Sequence, residues 1–255
     1  MYDRLRLKSP LKLVYSVSDV RNLVEETIRS VKTARKYFNK NDIIIFYTPP
    51  RSESNYIKLT KLGTVLKEKN LTENFKINKG HGRFGEKFQA LFLDVPNIIV
   101  LDSDTIIRKD LSELINDNYE FSGRIAPGFL DMDIEIWNSM FVEREKIPIP
   151  MLNTGFMIFR DYFHNKIADE VLGYMDSNLP SPHPKSYFKD QYAISLAVSG
   201  SKIKWMNRAV HSFLWNSEFG GYVLHGSKLE ITSDLGNIKN KMTLWLDNNV
   251  SSLFN

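Results

Sequence analysis

The stretch Asn97-Ile98-Ile99-Val100-Leu101-Asp102-Ser103-Asp104 joins an apolar run to two carboxylates that are one residue apart. Consecutive β-prone residues of this kind predict a strand that is buried on both faces, as in a parallel sheet. The acids then follow the carboxyl end of the strand, which is where open α/β sheets bind their ligands. Two hard oxygen donors at such an edge suit Mg²⁺ or Mn²⁺ and, through the metal ion, a phosphate-bearing substrate.

A second pair with the same spacing, Asp131-Met132-Asp133, shows that the spacing alone carries little information. This pair follows Pro127-Gly128-Phe129-Leu130, which has the composition of a loop and not of a strand. We therefore interpret Asp131 and Asp133 as acidic loop residues, whose most specific role would be to touch hydroxyl groups of a substrate.

The composition is that of an ordinary soluble globular protein, with 42% hydrophobic and 25% charged residues in a chain of 255. The formal net charge of +4 is too small to indicate binding of nucleic acid. The chain has no cysteine, which excludes disulfides, thiolate zinc sites and a cysteine nucleophile.

Neither a signal peptide nor a transmembrane segment is expected from the sequence. The first ten residues are charged and lack an apolar core, and no apolar run approaches the roughly 20 residues that span a bilayer. We therefore expect a cytoplasmic protein. The apolar stretch Met242–Leu246 leaves a peripheral contact with a membrane or a partner open, although packing against the domain is the simpler interpretation.

The first half of the sequence alternates between strand and helix patterns. Leu11–Val17 and Ile43–Tyr47 have strand character, and Asp19–Lys36 between them has apolar residues at helical spacing. Strand, helix and strand of these lengths form a βαβ unit, so the two strands should be parallel neighbours. The segment before Asn97 further predicts a helix, a short strand and another helix, at Asn55–Lys69, Phe75–Ile77 and Glu86–Leu93.

The second half of the sequence is less regular. Ala126–Pro150 contains prolines and several aromatic residues, and we interpret it as a binding loop. Short helices and strands are predicted at Lys109–Ile115, Glu120–Ile125, Gly155–Phe159, His164–Met175, Tyr187–Val198 and Lys202–Trp205. Without a linker or an internal repeat, the whole pattern predicts one domain of the α/β class, with a mixed, mostly parallel central sheet flanked by helices.

Four short signatures follow one another along the chain: Leu101-Asp102-Ser103-Asp104, Leu152-Asn153-Thr154-Gly155-Phe156-Met157-Ile158, Asp190-Gln191 and Leu224-His225-Gly226-Ser227-Lys228. In order and spacing they resemble the signatures of GT-A-fold glycosyltransferases, especially the retaining family 8, which includes bacterial galactosyltransferases and glycogenins. The resemblance spans Leu11 to Lys228. It implies a single GT-A-like, Rossmann-like domain over residues 1–255, with a nucleotide-binding half (1–104), an acceptor and catalytic half (105–230) and a C-terminal extension (231–255).

The resemblance implies a divalent-metal site made by Asp102, Asp104 and His225. Two carboxylates and one imidazole, with a nucleotide diphosphate completing the coordination shell, suit Mn²⁺ or Mg²⁺. Asp102 and Ser103 would also lie near the nucleotide. Lys228 would contact the diphosphate as it leaves, since the negative charge on that group grows in the transition state.

The resemblance also assigns residues to the rest of the donor. Tyr15, Ser16 and Val17 would cradle the base and the ribose, mostly through their backbone groups. Either Arg83 or Lys87 would supply the basic residue that contacts the nucleotide-sugar. These five positions, like the assignment of His225 as a metal ligand, follow from the family pattern and not from local chemistry.

The sugar itself would be held by the middle two signatures. Asn153 would hydrogen-bond sugar hydroxyls, next to a close backbone approach that Gly155 permits. Asp190 and Gln191 would face the anomeric region, where an oxocarbenium-like state needs a nearby oxygen. The simpler interpretation of Asp190 is that it caps the helix that begins there.

These residues together predict a metal-dependent glycosyltransferase that moves a hexose from a nucleotide-diphosphate sugar, with a UDP-sugar as the expected donor. The acceptor is a saccharide, a lipid-linked molecule or a protein, and the sequence does not identify it. Retention of the anomeric configuration is implied by the resemblance alone. An inverting enzyme would instead use a carboxylate base, for which Asp131, Asp133 and Asp190 are the candidates.

Two other functions stay open. A phosphohydrolase of the haloacid dehalogenase type also has a strand that ends in Asp-x-Asp, although here a βαβ unit precedes the pair and Ile106 replaces the usual Thr or Val. A non-catalytic nucleotide-sugar-binding protein would keep the fold without the chemistry. His225 discriminates, because neither of these proteins needs a third metal ligand. The other histidines are expected to be surface or core residues: His81, His164, His183 and His211.

Overall fold

The structure is a computed structural model that describes residues 5–6, 11–20, 22–67, 82–183, 188–214 and 220–226. Its strands are β1 (Leu5–Arg6), β2 (Leu11–Val17), β3 (Ile43–Tyr47), β4 (Thr64–Leu66), β5 (Leu93–Asp94), β6 (Asn97–Leu101), β7 (Thr105–Ile107), β8 (Phe121–Ile125), β9 (Leu152–Phe159), β10 (Ile203–Trp205), β11 (His211–Phe213) and β12 (Val223–His225). Its α-helices are α1 (Leu23–Ala34), α2 (Glu53–Thr60), α3 (Ile134–Val142), α4 (Phe163–Asp176) and α5 (Lys189–Val198). Short 3₁₀ helices lie at Lys40–Asp42, Gly82–Phe92, Leu111–Ile115 and Pro127–Asp131. Within these ranges, no helix is long and apolar enough to cross a membrane.

The central sheet has seven described strands in the order β10-β8-β9-β6-β2-β3-β4. β9 runs antiparallel between β6 and β8, and the other strands run in one common direction. β2, α1 and β3 form the predicted βαβ unit, with the two strands parallel and adjacent. The α/β class and the mixed, mostly parallel sheet flanked by helices are thereby confirmed.

The two faces of the sheet are covered by different helices. Val14 and Val100 pack on one face with residues of α4 and α5, whereas Leu13 and Ile99 pack on the other with residues of α1. Alternate strand residues point to opposite faces, so strands covered on both sides need apolar residues at nearly every position. β3 and β9 are buried along their whole length, as this requires.

A small sheet of β11, β12 and β7 brings the last signature to the acidic pair. β12 runs antiparallel to β7, with His225 opposite Thr105. The backbone N–H of Gly226 donates to the carbonyl oxygen of Asp104 at 3.2 Å. Because Thr105 directly follows Asp104 in the chain, this register places His225 beside the acids.

The predicted helix Asn55–Lys69 is wrong beyond Thr60, where α2 ends. The following residues turn back, and β4 pairs with β3 as an edge strand of the central sheet. Gly63 allows the chain to approach β3 so closely, since a Cβ at this position would lie 2.9 Å from the carbonyl oxygen of Ile43. The predicted strand Phe75–Ile77 lies outside the described residues.

Two further segments differ from the sequence-based expectation. The predicted helix Glu86–Leu93 is 3₁₀ in form over Gly82–Phe92 and is followed by β5. The predicted binding loop Ala126–Pro150 contains α3, with Asp133 as its N-cap. The buried side chain of Trp137 anchors this helix, and short apolar runs of this kind are hard to assign by periodicity alone.

Candidate active site

The acidic pair follows the carboxyl end of β6 and meets His225 from β12. Nε2 of His225 lies 3.2 Å from Oδ1 of Asp104 and 3.7 Å from Oδ2 of Asp102. His225 is buried, whereas the two acids are partly exposed. Burial alone would raise the pKa of Asp104, but the hydrogen bond and the charge of His225 hold this pKa below its ordinary value. The structure thus brings the three predicted metal ligands together from distant parts of the sequence.

Gly155 makes room for the imidazole of His225. A Cβ at position 155 would lie 2.0 Å from Cε1 of His225, far inside the roughly 3.5–4.0 Å at which carbon atoms pack. The carbonyl oxygen of Gly155 also accepts a hydrogen bond from the backbone N–H of Asp102 at 3.0 Å. The glycine of the second signature therefore holds both the first and the last signature in place.

The arrangement fits a divalent cation. One oxygen from each of Asp102 and Asp104 and one nitrogen of His225 all lie within 4.8 Å of one another. Ligands of one Mg²⁺ ion stand about 2.0–2.1 Å from it and therefore up to about 4.2 Å apart, so small side-chain movements would bring all three onto one ion. This arrangement of the three side chains depends on the absence of a Cβ at Gly155, because a larger residue there would fill the space that the imidazole of His225 occupies.

A buried cation, Lys87, connects the acidic pair with Asp190. Its Nζ lies 2.6 Å from Oδ1 of Asp102 and 3.6 Å from Oδ2 of Asp190. Burial alone would lower the pKa of Lys87, but the nearby carboxylates, with Asp102 as the strongest, raise it above its ordinary value. Lys87 is therefore a fixed positive charge between two carboxylates that would otherwise repel each other.

The N-cap position of α5 is Phe188, and Asp190 is a buried carboxylate within the first turn of this helix. It is the second residue of α5, and only 4% of it is exposed. Its Oδ2 accepts a 2.5 Å hydrogen bond from the hydroxyl of Thr154, and the same hydroxyl accepts one from Lys87 at 3.2 Å. Burial raises the pKa of Asp190, and the charge of Lys87 and the hydrogen bond from Thr154 offset part of the rise.

The amide side chains of Asn153 and Gln191 lie in the same region. Oδ1 of Asn153 accepts a hydrogen bond from the backbone N–H of Gly155 at 3.0 Å, so it orders the start of β9. Oε1 of Gln191 is buried and has no hydrogen-bond partner among the described residues. A buried amide oxygen of this kind is costly unless a further group satisfies it. The predicted sugar contacts of both residues stay predictions.

The side chains of Tyr15 and Val17 lie in the core. The hydroxyl of Tyr15 accepts a hydrogen bond from Ser30 at 3.0 Å, and burial raises its pKa. Val17 is buried, and the hydroxyl of Ser16 donates to the carbonyl oxygen of Glu86 at 3.1 Å. The predicted backbone contact of these three residues with a nucleotide stays a prediction.

The remaining predicted positions are only partly described. The buried hydroxyl of Ser103 accepts a hydrogen bond from Thr27 of α1 at 3.0 Å, so it anchors the turn between the two acids. The side chain of Arg83 and the whole of Lys228 lie outside the described residues.

The structure adds His211 to the site, although the sequence predicted only a surface or core histidine. His211 is fully buried, and its Nε2 lies 3.3 Å from Nδ1 of His225. Burial, and then the charges of His225 and Arg124, lower the pKa of His211 well below its ordinary value. The contact arises because β11 pairs with β12, and no spacing in the sequence reveals that pairing.

Thr154 is the second addition, and here a signal was available. Neighbouring residues of a strand point to opposite faces of the sheet. Since Gly155 faces His225, the side chain of Thr154 points to the opposite face. A hydroxyl on a strand that is buried throughout needs a hydrogen-bond partner, and it finds Asp190 on α5.

No protein-family model and no curated protein matches the sequence of this chain. Solved structures match its shape. The bifunctional glycosyltransferase WbbM, in its apo form, superposes with a TM-score of 0.65 at 14% identity, over 88% of this chain and 47% of WbbM. The chain thus spans about half the length of WbbM.

Two smaller proteins match over nearly their whole length. An active-site mutant of LgtC gives a TM-score of 0.61 at 11% identity, with 91% of this chain and 95% of LgtC covered. Mouse xyloside xylosyltransferase 1 gives 0.52 at 11% identity, with 85% and 97% covered. The protein therefore has the fold of the GT-A-type glycosyltransferases, and the predicted resemblance to these enzymes is confirmed at the level of the fold.

Proposed function

We propose that the protein is a metal-dependent glycosyltransferase that moves a hexose from a UDP-sugar to an acceptor, with retention of the anomeric configuration. The observation that carries the proposal is the meeting of Asp102, Asp104 and His225 within 4.8 Å at the carboxyl edge of the sheet. Parallel sheets bind their ligands at this edge. The expected ion is Mn²⁺ or Mg²⁺, because carboxylates and diphosphate oxygens suit these metals.

The leaving group explains the need for positive charge at this site. In the reaction the bond from the anomeric carbon to a diphosphate oxygen breaks, a bond to the acceptor oxygen forms, and the proton of the acceptor hydroxyl passes to the departing diphosphate. A divalent ion would neutralise the diphosphate oxygens as their charge grows. Lys228 and Arg83 are proposed to add point charges.

The rest of the donor is proposed to lie along the strand ends. The backbone of Tyr15, Ser16 and Val17 would hold the base and the ribose, with Asp102 and Ser103 next to the ribose. The buried side chains of Tyr15 and Val17 support a backbone contact at this point. Asn153 would add a hydrogen bond to a sugar hydroxyl.

Asp190 is proposed to stabilise the oxocarbenium-like state of the transferred sugar, with Gln191 beside it. A carboxylate is most effective in this role when it is ionised and shielded from water. The buried position of Asp190 supplies the shielding, and Lys87 supplies a counter-charge 3.6 Å away. As a candidate for the base of an inverting enzyme, Asp133 is weaker than Asp190, because its carboxylate already caps α3.

The structural relatives support the reaction class. WbbM and xyloside xylosyltransferase 1 are named as glycosyltransferases, and the galactosyltransferase LgtC has been solved with donor and acceptor sugar analogs. The contact of His225 with both acids favours a transferase over a phosphohydrolase of the haloacid dehalogenase type, which has no use for a third ligand. The acceptor, whether saccharide, lipid-linked or protein, is left open.

The direct test is donor turnover with and without metal. The protein is incubated with UDP-hexoses and other nucleotide sugars in the presence of Mn²⁺, Mg²⁺ or EDTA, and release of the nucleoside diphosphate is measured. We expect hydrolysis or transfer with one UDP-hexose and its loss in EDTA. Activity that survives EDTA would refute the metal requirement. Binding of the donor without turnover would favour the non-catalytic alternative. Proton NMR of the first-formed product reports its anomeric configuration.

A further inference from the structure

A second histidine lies directly behind the candidate metal ligand. The rings of His211 and His225 are nearly parallel, with an interplanar angle of 13° and centroids 5.4 Å apart. Nε2 of His211 lies 3.3 Å from Nδ1 of His225. On its other side, His225 turns Nε2 toward Asp104 and Asp102 at 3.2 and 3.7 Å. The two nitrogens of His225 therefore face two different kinds of partner.

This geometry couples the two ends of the His225 ring. A neutral imidazole carries one proton, so a proton on Nδ1 leaves the lone pair of Nε2 free to bind a metal. Metal-bound histidines usually donate their other ring N–H to an acceptor, which fixes both the tautomer and the orientation of the ring. Nε2 of His211 stands where such an acceptor is needed.

The surroundings of His211 give its ring no competing polar role among the described residues. Phe156 meets it edge-on and Phe213 packs against it, with centroids 5.4 and 4.6 Å away. Arg124 donates to its backbone carbonyl and not to the ring. Nδ1 of His211 has no hydrogen-bond partner in the described part of the chain. An apolar ring would pack there without the cost of burying two polar nitrogens.

We infer that His211 is a positioning residue, which accepts a hydrogen bond from Nδ1 of His225 and so presents Nε2 of His225 to the divalent ion. The inference rests on the proposed metal site and extends it by one residue. The ligand His225 on β12 would then be supported by a second histidine, His211, on the neighbouring strand β11. Loss of such an outer partner typically weakens metal binding by about 10- to 100-fold.

The test is a calorimetric titration of the purified protein with Mn²⁺, which measures the affinity for the ion. His211→Phe keeps a buried ring but removes the acceptor, and we expect its Mn²⁺ affinity to fall by about 10- to 100-fold. His211→Gln can place its amide oxygen near the position of Nε2, and we expect affinity within a few-fold of the wild type. His164→Phe is the matched control, because His164 is equally buried but contacts the carbonyl oxygen of Leu93 instead of the site.

The outcomes separate the inference from the proposed function. If the wild type binds Mn²⁺ and His211→Phe binds it equally well, His211 has no positioning role. Equal losses in His211→Phe and His211→Gln would mean that packing matters and the hydrogen bond does not. A wild type that binds no Mn²⁺ would overturn the metal site itself. Circular dichroism in EDTA checks folding. If His211→Phe does not fold, ¹⁵N NMR of the wild type loaded with diamagnetic Zn²⁺ decides: we expect a scalar coupling across the hydrogen bond from Nδ1 of His225 to Nε2 of His211, and its absence would overturn the positioning role.

Discussion

The chain contains two Asp-x-Asp pairs with identical spacing and different surroundings. Asp102 and Asp104 follow the buried strand β6 and face His225, and Asp102 also pairs with Lys87. Asp131 and Asp133 lie in an exposed turn before α3. There the Oδ1 of Asp133 accepts hydrogen bonds from backbone N–H groups of the first turn of the helix, at 3.0 and 3.1 Å.

The difference shows that chemistry comes from the partners and not from the spacing. The first pair gains a cation and an imidazole from distant parts of the chain, because β6 lies at the centre of the sheet and β12 folds back onto it. In the second pair, the carboxylate of Asp133 caps the helix that follows it and satisfies backbone donors that would otherwise lack a partner. The same residue type at the same spacing thus contributes to a candidate metal site in one place and to a helix cap in the other.

The largest effect is expected for Asp104→Ala. Removing a metal ligand takes away several kcal/mol of charge stabilisation in the transition state, so turnover of the nucleotide-sugar should fall by about 10³-fold or more. The measurement is release of the nucleoside diphosphate under saturating Mn²⁺, with the unfolding temperature in EDTA as a check of the fold. A fully active Asp104→Ala protein would show that the first Asp-x-Asp pair does not hold a catalytic metal ion.

The next effect is expected for Gly155→Ala, which attacks the first pair without touching a ligand. The new Cβ would collide with His225, and we expect the affinity for Mn²⁺ to fall by about 10- to 100-fold as that ligand is displaced. Overpacking should also cost about 1–3 kcal/mol in the free energy of unfolding. Calorimetric titration and denaturant unfolding measure the two effects.

The matched control is Gly173→Ala, in α4. A Cβ at this position meets nothing within 4 Å, so metal affinity should be unchanged. The free energy of unfolding should rise by about 0.5–1 kcal/mol, because alanine favours a helix over glycine. Equal metal affinity in Gly155→Ala and Gly173→Ala would show that His225 does not need the space at Gly155.

A smaller effect is expected for Thr154→Val, which removes the hydroxyl group that donates a hydrogen bond to Asp190. That hydrogen bond lowers the pKa of Asp190 and burial raises it, so its loss should raise this pKa further. If the ionised form is the active one, the acidic limb of the kcat/KM profile should move to higher pH, with turnover about tenfold lower. Thr154→Ser keeps the hydroxyl and should keep the profile, whereas an unshifted limb in Thr154→Val would exclude Asp190 as the titrating group.

The strands and the ligands of the first pair could be predicted from the sequence, because both leave local or ordered signals. β3 is a continuous apolar run, β6 is one after Asn97, and β2 is mostly apolar; the four signatures also occur in a recognisable order. β4 could not be predicted, since three half-buried residues follow Gly63 without a strand pattern of their own. The contact between His211 and His225 could not be predicted either, because it depends on which short strands pair.

The smallest effect is expected for Asp133→Ala, which completes the comparison. Loss of an N-cap typically costs about 1 kcal/mol, which corresponds to a fall of roughly 2–4 °C in the unfolding temperature of a chain of this size. Donor turnover and Mn²⁺ affinity should stay at the wild-type level, since the hydrogen bonds of the Asp133 carboxylate in the described structure go to the first turn of α3. Asp133→Asn retains a capping oxygen and should recover most of the stability. A loss of turnover in Asp133→Ala comparable to that in Asp104→Ala would place the second pair in the chemistry, and the acceptor side of the site would then have to be sought at the start of α3.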